Sequence, residues 1–211
     1  MTKPIDILRQ APIVPLIQAE TPEDAVKTSG ALASGGLRVQ EVVFRTEAAL
    51  ESLSQIARTQ PDVLVGAGTV LSLKQAEDAF AAGARFLVSP GLNPDVVAFA
   101  QANALPIFPG IVSPTELQMA WNLGLRTVKF FPAGLSGGPR MLKALSSVFR
   151  DVEFMPTGGI NAGNLKEYLA IPSVLACGGS WLTPKEAVQN QEYSIITGLA
   201  RQALSIAEEI K

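Results

Sequence analysis

Thr-Val-Lys-Phe-Phe-Pro, residues 127–132, is an apolar run with the length of a buried strand, closed by proline and interrupted by one lysine. A stretch with apolar residues at helical spacing follows over 138–147, and a second apolar run follows over 153–157. Strand, turn residues, amphipathic helix and strand again make the parallel β/α unit, because a parallel crossover needs a helix-length connection. The unit recurs in both directions. Strand candidates fall at 13–18, 37–45, 63–68, 86–89, 106–109, 127–131, 153–157 and 173–177. Helical spacing occupies 22–34, 47–58, 72–82, 94–102, 114–122, 138–147 and 161–169, with a closing helix over 184–208 and a short N-terminal helix over 3–10.

Local signals agree with these spans. Thr21-Pro22, Asn93-Pro94 and Ser113-Pro114 each place a capping side chain before a proline at the first helical position. Gly83 and Gly124 fall where helices should stop. Eight strands alternating with helices predict an α/β protein, a single (β/α)8 TIM barrel spanning 1–211 as one domain. The alternative is a doubly wound open sheet. Its dinucleotide-binding form loses support because no Gly-x-Gly-x-x-Gly follows the first strand.

Composition narrows the chemistry. The chain of 211 residues is 47% hydrophobic and 17% charged, with a net charge of −2 and no basic block, so nucleic acid is not an expected partner. The apolar runs are too short to span a membrane, and a cytoplasmic location is expected. Cys177 is the one cysteine, read as a small core residue. The chain has no histidine, which excludes Ser-His, Cys-His and His-ligated metal schemes. Proton transfer must fall to carboxylates, lysine, tyrosine, water or substrate.

In a barrel, function collects at the C-terminal ends of the strands. An ammonium in the run around Lys129 must be paired or lose its proton more readily, and a free amine is a nucleophile toward ketones. Glu41 and Arg45, four apart on one strand, project from the same face. Buried, Glu41 would be costly unless paired or protonated, and a raised pKa suits a general acid/base. A structural Glu41–Lys129 ion pair is the alternative. Arg45 suits a substrate carboxylate clamp or a surface salt bridge. Thr69 ends its strand either as a carboxylate ligand or as a helix cap. Gly158-Gly159 and Gly178-Gly179-Ser180 end the last two strands, where barrels bind phosphate through backbone N–H groups.

Several ordered motifs carry a resemblance. They are Glu-Val-Val-Phe-Arg-Thr (41–46), Val-Gly-Ala-Gly-Thr-Val (65–70), Ser-Pro-Gly (89–91), Phe-Pro-Gly-Ile (108–111), Val-Lys-Phe-Phe-Pro-Ala (128–133), Pro-Thr-Gly-Gly-Ile (156–160) and Gly-Gly-Ser-Trp (178–181). From about Ile13 to Pro184 the chain resembles the 2-keto-3-deoxy-6-phosphogluconate (KDPG)/KHG aldolases. These are class I, Schiff-base lyases on a small (β/α)8 barrel that need no cofactor or metal, belong to the Entner-Doudoroff pathway and suggest a homotrimer. The resemblance implies that Lys129 forms the Schiff base and that Glu41 is the general acid/base, acting through water. It implies Arg45 and Thr69 on the pyruvyl carboxylate, Pro90 and Phe131 walling the pocket, and Thr157 near the reacting carbons. Gly158, Gly159 and Ser180 would bind the phosphate.

The expected partner is a phosphorylated keto acid. Galactonate-derived relatives tend to carry valine where Thr157 stands, so the threonine favours the gluconate-derived substrate. Two segments depart from the common family form, 109–114 and 134–140, both at the mouth. A galactonate-type aldolase, a phosphosugar isomerase or epimerase, and a non-catalytic phosphosugar-binding barrel are the alternatives.

Overall fold

A computed structural model describes residues 9 and 11–210; the helix expected over 3–10 lies outside the described residues apart from Arg9. Among the described residues, nine short strands and nine helices follow one another. The strands are β1 (Ile13–Ile17), β2 (Val39–Val43), β3 (Leu64–Gly68), β4 (Leu87–Val88), β5 (Ile107–Phe108), β6 (Gly110–Ile111), β7 (Thr127–Phe130), β8 (Glu153–Pro156) and β9 (Cys177–Gly179). The helices are α1 (Pro22–Ser34), α2 (Ala49–Thr59), α3 (Leu73–Ala81), α4 (Pro94–Ala102), α5 (Pro114–Asn122), α6 (Gly138–Val148), α7 (Leu165–Leu169), α8 (Lys185–Gln189) and α9 (Tyr193–Glu208).

The expected helix starts form as capped starts. The Thr21 hydroxyl accepts from Asp24 N–H, and the Asn93 side-chain Oδ1 accepts from the N–H groups of Asp95 and Val96. Ser113 and Glu116 make a reciprocal capping box at α5. Gly83 and Gly124 follow their helices at φ +103° and +81°, a conformation that costs glycine little.

The strands form a curled, all-parallel arrangement in two sheets, with orders β5-β4-β3-β2-β1-β9 and β6-β7-β8. One continuous eight-strand ladder is not what forms, and the reason is local. The expected strand 106–109 is broken at Pro109, which has no N–H to donate. Before it, Leu87 and Val88 pair with Ile107 and Phe108. After it, Gly110 and Ile111 pair with Lys129 and Phe130. One segment of chain thus belongs to both sheets. On the other side, isolated parallel bridges join Phe154 to Val174 and Thr157 to Gly178.

Three expected spans are corrected. The last strand is 177–179 rather than 173–177, because 173–175 is used by hydrogen bonds with Phe154 on β8 before Cys177 N–H reaches Pro12 on β1's side. The helix expected at 161–169 starts at Leu165, since the Asn161 and Asn164 side chains bond backbone N–H groups and hold a turn first. The closing helix is two, α8 and α9, separated around Gln191, whose φ is +57°.

Side chains on one face of the strands pack on the helices. Those on the other face fill the inside of the curl with Val14, Val39, Phe86, Val88, Phe108, Met155 and Ala176, all buried. Cys177 is buried in the core, where burial pushes its thiol pKa up and leaves it unreactive.

Candidate active site

Alternation along β2 places Val39, Glu41 and Val43 on the inner face, and alternation along β7 places Lys129 there beside Gly110 of β6. Glu41 and Lys129 therefore meet one layer above the apolar plug. The ammonium nitrogen is 4.0 Å from Glu41 Oε1, and the two side chains are 3% and 0% exposed. That distance is an ion contact without a hydrogen bond. Neither Glu41 oxygen has a hydrogen-bond partner among the described residues. A structural ion pair would close its hydrogen bonds; this pair leaves carboxylate lone pairs for something else.

Burial dominates both pKa values. It pushes the Glu41 carboxyl above its usual range, partly opposed by the charges of Lys129 and Arg45. It pulls the Lys129 ammonium below its usual range, opposed by Glu41 and reinforced by Arg45. Burial thus favours the neutral form of each group, the free amine of Lys129 and the proton-bearing carboxyl of Glu41.

The strand ends make room for these groups. Gly68 ends β3, and a β-carbon there would lie inside the van der Waals envelope of Glu41 Oε1. Gly178, on β9, leaves the same space for the Thr157 hydroxyl. Gly110 leaves it for the Pro90 carbonyl, which brings Pro90 beside the register partner of Lys129. Phe131 lies next along the chain, its ring centroid 4.9 Å from Lys129 Nζ. Thr157 is buried, and its hydroxyl makes one hydrogen bond among the described residues, a long one of 3.5 Å to Met155 O.

Arg45 is exposed at the rim, and its Nε donates to Thr69 Oγ1 at 3.2 Å. Thr69 sits at φ +58°, uncommon for a β-branched residue and costing about 1–3 kcal/mol. Among the described residues Arg45 makes no salt bridge, and the cap of α3 is Ser72, not Thr69. Gly158 and Gly159 follow Thr157 at φ +93° and +80°, and Gly134 N–H donates to Gly158 O. Ser180 is exposed and lines a cleft with Arg45.

Nine of the ten residues singled out from the sequence lie at or beside the C-terminal strand ends, and Glu41 lies in the middle of β2, on the inner face. Sequence reasoning missed the space-making role of Gly68, Gly110 and Gly178, although each stood in a quoted motif. It also missed Gln18, Thr183 and Lys185, which line the cleft beyond Ser180. The signal available for these was position alone, just past the ends of the first and last strands. Among the described residues no group of three or more His, Cys, Asp or Glu side chains could hold a metal ion. Among the described residues no helix is long and apolar enough to cross a membrane.

Comparison with known proteins gives a consistent result. Residues 5–199 match the KDPG and KHG aldolase family profile. A 2-dehydro-3-deoxy-phosphogluconate aldolase of Treponema pallidum is 48% identical over 95% of this chain and 96% of its own. The structure is similar to that of a Legionella pneumophila KDPG aldolase with pyruvate captured as a covalent carbinolamine, with TM-score 0.92, 43% identity and coverage of 96% and 98%. It is also similar to a Zymomonas mobilis 2-keto-3-deoxy-6-phosphogluconate aldolase with 3-phosphoglycerate, with TM-score 0.89, 42% identity and coverage of 94% of each chain.

Proposed function

The chain belongs to the KDPG and KHG aldolase family, and from that premise we propose that it is a class I, Schiff-base aldolase. It cleaves 2-dehydro-3-deoxy-6-phosphogluconate to pyruvate and glyceraldehyde 3-phosphate. The double family name supports a second reaction, 4-hydroxy-2-oxoglutarate to pyruvate and glyoxylate. The observation that carries this reading is the buried Glu41–Lys129 pair, 4.0 Å apart, with no hydrogen bond to the carboxylate from the described residues.

The Lys129 amine adds to the C2 ketone. Glu41, relayed by water, gives a proton to the departing carbinolamine hydroxyl, and water leaves a protonated imine. The Glu41 carboxylate, again through water, takes the C4 hydroxyl proton. The C3–C4 electron pair moves onto the imine nitrogen, and the aldehyde departs. The enamine takes a proton at C3, and hydrolysis returns pyruvate and the free amine. One carboxyl alternates between acid and base, which requires a pKa raised from the usual range.

The other roles are those the family resemblance implies, and their positions around the pair support them. Arg45 and Thr69 hold the pyruvyl carboxylate; the strain at Thr69 supports its being fixed for binding. Pro90 and Phe131 wall the pocket, and Thr157 offers its hydroxyl near the reacting carbons. Gly158, Gly159 and Ser180 take the phosphate. The shared segment at Pro109 and the bridges to β9 support one closed (β/α)8 barrel over the chain as a single domain. Exposed Leu71, Phe80 and Met119 provide apolar surface for a homotrimer, which light scattering would read as three chain masses. A cytoplasmic enzyme without metal or cofactor fits this chemistry.

Incubation with pyruvate and borohydride should reduce the imine and leave a stable secondary amine on Lys129, located by peptide mass. An enzyme that releases pyruvate from the phosphorylated keto acid, in a lactate-dehydrogenase-coupled assay, while Lys129 stays unmodified would sink the Schiff-base mechanism.

A further inference from the structure

A cleft opens past the end of β1. Its floor includes Leu16, the register partner of Glu41, and Val43, two residues beyond Glu41 on the same face. Arg45 and Ser180 line it as well, so it is continuous with both ends of the proposed substrate site. Farther out lie Gln18, Glu20 and Asp24 after β1, and Lys185 at the start of α8.

Charge decides what such a cleft accepts. Arg45 and Lys185 balance Glu20 and Asp24, so its rim is neutral. Asp24 is engaged: it accepts from the Tyr193 hydroxyl at 2.9 Å and the Thr21 hydroxyl at 2.7 Å. Arg45 is tied by Nε to Thr69 at the keto-acid end. Lys185 is exposed, and no hydrogen bond or ion pair within the described chain engages it. It is the cation left for the tail of a substrate. Without it the rim would be net negative and would repel a phosphate dianion.

We propose that Lys185 is a specificity-determining residue, the ammonium that selects a phosphorylated substrate tail over an unphosphorylated one. It acts together with Ser180, which lines the same cleft. This rests on the aldolase reading above.

The test compares kcat/KM for 2-keto-3-deoxy-6-phosphogluconate with that for unphosphorylated 2-keto-3-deoxygluconate. In Lys185→Ala the ratio should fall about tenfold, the size expected when one charge-assisted contact is lost at a solvent-exposed site. Lys185→Arg should restore it. A ratio unchanged in Lys185→Ala, whatever the absolute activity, would overturn the proposal. Pyruvate and borohydride keep the two claims apart. If the wild-type enzyme cleaves the phosphorylated acid but is not trapped at Lys129, the Schiff-base reading fails. If it is trapped and the ratio does not move, only the role of Lys185 fails.

Discussion

The inside of the curled sheets has two layers built by the same strands, and they differ in almost every physical respect. The lower layer, Val14, Val39, Phe86, Val88, Phe108, Met155 and Ala176, is apolar and buried. Phe86 and Phe108 meet there edge to face, with centroids 6.2 Å apart. The upper layer is one strand step away: Val39 gives way to Glu41, Met155 to Thr157, Ala176 to Gly178. It is as buried as the lower layer, yet holds an ionisable pair and a carboxylate that no described residue hydrogen-bonds. The lower layer lowers the free energy of the fold. The upper layer holds ionisable groups where burial disfavours their charged forms, above a layer that is apolar and buried.

The contrast can be broken most severely at Lys129. Lys129→Met should keep the fold, since an apolar chain of similar length replaces it, while kcat for pyruvate release falls by about 10⁴-fold or more, as expected when a covalent nucleophile is lost. Circular dichroism and the coupled assay read the two halves. Phe86→Ala should do the reverse. It opens a cavity in the lower layer and costs about 3–5 kcal/mol of stability, read as a lower melting temperature, while pyruvate trapping at Lys129 persists below the melt. If Phe86→Ala abolished trapping in the folded state, the two layers would not be separable.

Gly68→Ala probes the boundary between them. The new methyl would enter the space of Glu41 Oε1 and displace the carboxyl. A misplacement of about 1 Å predicts a loss of about 100-fold in kcat, with the melting temperature little changed. Activity within twofold of wild type would mean that Glu41 needs no fixed position.

Making the upper layer resemble the lower one should stabilise the protein. A raised Glu41 pKa removes stability as pH rises above its unfolded value near 4.5, and a lowered Lys129 pKa removes it as pH falls below 10.5. Between those limits the burial of the pair is a net cost. Glu41→Gln combined with Lys129→Met should therefore raise stability at neutral pH by about 1 kcal/mol, or roughly 2–4 °C. A lower melting temperature would show the pair to be a net stabiliser.

The smallest effect is a shift in pH dependence. The extent of trapping should grow with pH as Lys129 loses its proton, with a midpoint below the usual 10.5. Glu41 raises the Lys129 pKa, so Glu41→Gln should move that midpoint to lower pH. A shift to higher pH would show that Glu41 does not act on the ammonium as an anion.

Much of this was legible in the chain itself. Strand and helix periodicity, three proline-adjacent caps and two terminating glycines located most elements, because those signals act within a few residues. Lys129 and Glu41 stood out because charge inside an apolar run needs an explanation wherever the run folds. The motifs around them were enough to indicate the family. Other features depended on contacts that no local stretch contains. Pro109 divides a strand between two sheets because its neighbours on either side are far apart in sequence. Residues 173–175 are captured by β8, which delays β9. The 4.0 Å between Glu41 and Lys129 and the glycine spaces that admit Glu41, Thr157 and Pro90 exist only once β2, β3, β6, β7 and β9 are curled together. The sequence determined which groups are reactive, since that is a property of residue type and local burial. The tertiary structure decided which of them meet, at what distance and in what solvent, since proximity and dielectric belong to the packed fold.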